Sequence, residues 1–236
     1  MANTKIPFIA YPSQASLRKD VQKLFTILEA GTRDSQEELA SHALEAAVRE
    51  VIGVMVGDLA KSLQEPGRGD GDSHRVTASL ENHAGTLIRM LLKVVSNDKM
   101  LPAIRHFQTI MIEIDNQAGM PEPWVAFRID DAYAAELKGV VAHLRDVNTP
   151  YDAERTMRMM DASIALVFRD FLDRPREQMH FGFVLRKAME SVVALLKGGI
   201  HKMVSHNMRS LREGQRKRLA DHLEKLLVEL PAERYG

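Results

Sequence analysis

The amino-acid sequence predicts an all-α protein, a multi-helix bundle of about eight helices with no β-strand. Three observations lead there. Apolar residues recur at intervals of three and four through most of the chain, the spacing of a helix with one buried stripe. Strand-like alternation is nearly absent, and the β-branched residues fall inside helical patterns. Capping signals stand where the periodic segments begin. The apolar content of 45% and charged content of 27% over 236 residues are those of a globular domain able to bury its own core.

The elements follow in order. Residues 1–12, with Pro7 and Pro12, read as an extended arm, and residues 13–236 as a single helical domain. A first helix is expected over 13–30, stopped by Gly31. Ser35 and Glu38 form a capping box that opens a long helix over 35–64. "EPGRGDGDS", residues 65–73, is the clearest loop and the expected mobile linker. Helices over 75–95 and 98–118 lead to "GMPEPW", a Pro-broken turn with the only tryptophan, Trp124. A helix over 130–147 precedes Thr149 and Pro150, which suit the cap and first position of the next helix, running to 172. "DRPRE", residues 173–177, predicts a break or kink. A helix then runs to 206, and Ser210 with Glu213 makes a second capping box for a last helix ending at 229.

Two apolar seams support the bundle. Phe181, Leu185, Ala188, Val192 and Leu195 repeat at helical spacing, as do Leu219, Leu223, Leu226 and Leu230. Gly53 and Gly57, four apart in an apolar run, let two helix backbones approach and mark a self-association face.

Composition also excludes chemistries. There is no cysteine, which removes disulfides, thiol catalysis and cysteine-ligated metals. The N-terminal stretch does not read as a secretory leader, and no apolar run nears the ~20 residues of a membrane span. A cytoplasmic protein without membrane contact is expected. No phosphate-binding loop and no GxSxG elbow occurs.

Two constellations remain. Glu177 and His180 are three apart, so one helix face carries a carboxylate and an imidazole. Di-iron bundles use two such pairs; only one occurs here, and a surface or capping role for Glu177 is the plainer reading. The segment from Lys197 to Leu219 holds seven Lys or Arg and one acid, leaving 25 basic against 31 acidic residues in the rest of the chain. Lys202, Arg209, Arg212 and Arg216 in it are candidates for an anion or a partner surface. A dock on the acidic stretch 29–50, with six acids against two bases, is the competing reading. No aromatic residue is interleaved with these cations, so nucleic acid is not expected as a partner.

The leading expectation is a non-enzymatic interaction or regulatory protein that associates with itself or with another protein. The alternative is a helical bundle binding a small molecule or metal through Glu177 and His180, an enzyme in one version. The third is anion or nucleic-acid binding through 197–218. The sequence names no cofactor.

Overall fold

The computed structural model describes residues 4–64, 71–93, 95–179 and 183–235. It corrects the all-α expectation. The chain opens with strand β1 (Lys5–Pro12) and helices α1 (Ala15–Glu29) and α2 (Glu37–Ile52). A π-helical turn, Gly53–Asp58, runs into α3 (Leu59–Leu63). Helices α4 (Gly71–Leu92) and α5 (Asn97–Ile110) lead into the hairpin of β2 (Met111–Asp115) and β3 (Pro121–Arg128). Then come α6 (Asp131–Arg145), α7 (Ala153–Phe168), a second π-helical turn (Arg169–Asp173), α8 (Arg174–Gln178) and α9 (Phe183–Asn207). The chain ends with α10 (Glu213–Leu226), β4 (Leu227–Pro231) and the short α11 (Ala232–Tyr235).

The strands form one antiparallel sheet in the order β2-β3-β1-β4. It joins the two ends of the described chain: Ile6 faces Leu230 across β1 and β4, and Ile9 faces Phe127 across β1 and β3. Successive side chains point to opposite faces. Ile9, Tyr11, Val125 and Phe127 enter the main core with the helices, while Ile6, Phe8, Ala10, Ala126 and Leu230 form a second, smaller cluster on the outer face.

The physical reason for the correction differs by strand. In β1 every residue from Ile6 to Tyr11 is buried. A strand covered on both faces shows no polar-apolar alternation, so the arm hid a central strand. β2 and β4 follow α5 and α10 with no breaker between. The predicted helix over 98–118 therefore ends at Ile110, and the one to 229 ends at Leu226. Leu219, Leu223 and Leu226 do line the core, but Leu230, the last of that seam, belongs to β4 and packs on the outer face.

Helix starts also move. Asp152, not Thr149, caps α7, its carboxylate accepting from the Arg155 N–H at 2.8 Å. Arg212, not Ser210, precedes α10, and its N–H donates to Gln215 Oε1 at 3.0 Å. Near Pro175 the helix does not break; it widens into the π-helical turn just ahead. Proline has no N–H for the carbonyl four residues back and clashes with it, and a widened turn relieves both. Of the expected loop, residues 65–70 lie outside the described residues, and Gly71–Ser73 begin α4. Phe181 of the predicted seam also lies outside them, as do the side chains of Leu185, Ala188, Val192 and Leu195.

Candidate functional site

Glu177 is exposed on α8, and His180 lies outside the described residues. Among the described residues no group of three or more His, Asp or Glu is placed to hold a metal ion. Gly53 and Gly57 both sit in the first π-helical turn. A Cβ at Gly57 would stand 3.6 Å from Thr77 Cγ2, so this glycine faces α4 of its own chain, whereas a Cβ at Gly53 would meet nothing within 4 Å.

Part of the basic stretch turns inward, while Arg209, Arg212 and Lys217 are exposed. Arg216 is only 6% exposed. Its Nη2 donates to His143 O at 2.7 Å and Asp146 O at 2.6 Å, and its Nη1 to Thr149 O at 3.1 Å. Those carbonyls lie at and just past the end of α6, where helical C=O groups have no partner of their own and carry the negative end of the dipole. Arg218 does the same for α3, giving Nε to Ser62 O at 3.0 Å and Nη2 to Gln64 O at 2.5 Å, while Gln215 Nε2 reaches Leu63 O at 2.5 Å. Lys197 pairs with Asp173 at 3.2 Å and His201 with Asp161 at 2.8 Å. Arg209 and Arg212 are exposed, and the side chain of Lys202 is outside the described set. Three of the six acids of 29–50 answer to other partners: Glu29 to Arg105, Glu45 to Arg89, and Glu50 to Ser13 Oγ and the Gln14 N–H.

The surface that does look outward is the outer face of the sheet. Alternation puts Ile112 and Ile114 of β2, Trp124 and Ala126 of β3, Phe8 and Ala10 of β1, and Val228 and Leu230 of β4 on this face. Among the described residues, the apolar side chains packed there from outside the sheet are Ala232 and Tyr235 of α11. That helix lies against β4 and β1, and Tyr235 reaches over to donate its hydroxyl to Glu113 O of β2. The β2–β3 half is left less covered: Ile112, Ile114 and Trp124 are half-buried, and Met120 at the hairpin is 60% exposed. The hairpin itself is firm. Asn116 Oδ1 accepts from the Ala118 and Met120 N–H groups at 2.9 and 3.0 Å, Asn116 Nδ2 donates to Glu122 at 2.8 Å, and Gly119 turns the chain with φ of +73°.

Sequence reasoning misses this face because β2 lies inside the helix expected over 98–118. The signal is present in "TIMIEID" before "NQAGM": a β-branched run ending at a turn rich in Asn and Gly.

Two tyrosines stand on the helical side of the sheet, Tyr11 of β1 buried and Tyr133 of α6 half-buried. Burial raises Tyr11 well above the ordinary phenol value, with the Glu50 charge adding to it. Burial pushes Tyr133 up to about 12, opposed by its hydrogen bond with Ser163 at 2.6 Å. Both stay protonated at neutral pH; the Tyr133 hydroxyl is tied to Ser163, whereas that of Tyr11 is buried without a hydrogen-bond partner among the described residues. No protein-family model, curated protein or solved structure matches the chain.

Proposed function

We propose that this is an interaction protein that self-associates through the outer face of its sheet. The observation that carries the reading is the apolar strip of Ile112, Ile114, Met120 and Trp124 beside a face otherwise covered by one short helix. A second copy is a suitable occupant because β3 is self-complementary. A two-fold axis through position 125 sets the half-buried Trp124 side chains of the two copies about 6.6 Å apart, two residues along the strand at ~3.3 Å each. The footprint fixes the strength. The two less covered strands, ~4.8 Å apart and about six residues long at ~3.3 Å each, present roughly 200 Å². That is about a quarter of a standard interface per partner, which suits a weak and reversible association.

Sedimentation velocity over a dilution series tests it. The expected result is a monomer–dimer equilibrium that shifts to monomer in Met120→Glu and Ile114→Lys, with circular dichroism unchanged. A chain that stays monomeric wherever it is soluble contradicts the proposal, as does a dimer indifferent to both substitutions.

A further inference from the structure

We propose that the cleft between the start of β1, the end of β3 and the second π-helical turn binds a phosphorylated small molecule. The cleft has a volume of about 560 Å³, and Lys5, Arg128, Asp131, Arg169, Asp170 and Arg174 are among its lining residues. That volume is in the range of small-molecule sites and larger than a phosphate needs alone.

Asp170 organises it. The residue is 3% exposed, and its carboxylate takes Arg169 Nε at 2.8 Å, Arg169 Nη2 at 3.2 Å and Arg174 Nη1 at 3.1 Å. Its backbone carbonyl accepts from His106 Nε2 at 2.6 Å, tying the turn to α5. One buried carboxylate shared by two guanidinium groups leaves a positive charge over. It also fixes two otherwise mobile side chains, each about half exposed, with N–H groups to spare. Arginines oriented in this way lose less entropy when they close on an oxyanion.

The sheet supplies the rest of the charge. Lys5 and Arg128 come from β1 and β3, and Arg128 has no partner among the described residues. The acids in the lining have other duties. Asp130 accepts from the Tyr133 N–H at 2.7 Å as the cap of α6, and Asp131 stands in the first turn of that helix, where a carboxylate favours the dipole. The Arg169 and Arg174 guanidinium groups on Asp170, with the exposed Arg128 at the sheet side of the same cleft, offer more donors than the two oxygens of a carboxylate take up and suit a phosphomonoester better. Asp131, exposed at the rim, suits a hydroxyl or amine on the remainder of the molecule. The π-helical turn fits this picture, since such turns concentrate at functional sites.

The test is calorimetric titration of the full chain with glycerol 3-phosphate, with glycerol and succinate as comparison ligands. Saturable binding of glycerol 3-phosphate that weakens with salt is expected, with none for glycerol and weaker binding for succinate. Arg128→Gln and Arg174→Gln should each lower the affinity by about tenfold or more. Arg158→Gln, exposed on α7 and paired with Glu154, should leave it unchanged. If Arg174→Gln does not fold, Arg128→Gln still decides, because that side chain is exposed and holds nothing together. Absence of saturable binding overturns the proposal, as does affinity unmoved by Arg128→Gln. Succinate binding as tightly as glycerol 3-phosphate overturns the phosphate assignment. None of these outcomes depends on whether the chain self-associates.

Discussion

Replacing Arg216 by methionine separates two accounts of the basic stretch. Methionine keeps an unbranched stem in the buried slot and removes the guanidinium. The carbonyl oxygens of His143 and Thr149 then lose the donor that Arg216 gives them, and that of Asp146 keeps only the Thr149 N–H at 3.3 Å. A hydrogen bond to a charged group contributes about 1.5–3 kcal/mol net, and three at the low end give about 4.5 kcal/mol. Two effects run the other way. Arg216 Nε is buried without a partner, a cost of about 1 kcal/mol that methionine removes, and a buried charge no longer needs desolvation. The guanidinium also lies 5.9 Å from the Tyr151 ring centre, and an uncharged thioether gives up that attraction to the ring face. The expected loss is about 3 kcal/mol. Urea unfolding should show it as a lower midpoint with an unchanged slope. Arg209→Ala, on an exposed side chain, should stay within about 0.5 kcal/mol. A loss below about 1 kcal/mol for Arg216→Met would refute the capping role and return Arg216 to the candidates for a ligand or partner surface.

Two further outcomes follow from the same packing. His222 on α10 is held below the ordinary histidine value by burial, opposed by Asp58 and assisted by Lys225. The unfolded chain therefore binds a proton before the folded one does, and stability falls as pH drops below about 6.5 toward the depressed folded value. Across about pH 8 to 5 the wild type should lose stability relative to His222→Gln, and parallel curves would show that the burial has no consequence. Gly53→Ala should stabilise the fold by about 0.5–1 kcal/mol, because the added methyl group enters open space in a helical backbone. In the same variant sedimentation should be unchanged; loss of a dimer would place self-association at the Gly53/Gly57 face after all.

How much of this fold is legible in the sequence depends on what signal each segment carries. The helices are, because amphipathic stripes such as Leu17, Val21, Leu24 and Leu28 of α1 are local patterns. The strands are not. Phe8 and Ile9 are both buried because one faces the helices and the other faces α11 and the outer cluster. Such burial is a property of the assembled sheet that no local window contains. The sheet's central strand pairs with the last one, more than two hundred residues away. The Asp170 cleft is illegible for a similar reason: Lys5 and Arg128 come to line the same cleft as Asp170 only through tertiary packing.

The basic stretch is the instructive case, because its composition is plain in the sequence and its partner is not. Acidic side chains are the partners a charge count can see. The structure instead sets Arg216 and Arg218 against backbone carbonyls at the ends of α6 and α3. A helix end presents several unpaired carbonyls at once, and a buried one needs donors that water cannot supply. A guanidinium, with five N–H groups in a fixed fork, serves two or three of them together; a lysine ammonium is less suited. Charge neutrality of the whole chain is then no guide to where its arginines go. A run of arginine beside a leucine seam can mark the place where a helix seals the ends of its neighbours. The test is the arginine-to-methionine stability loss at 216, set against the silence expected at 209.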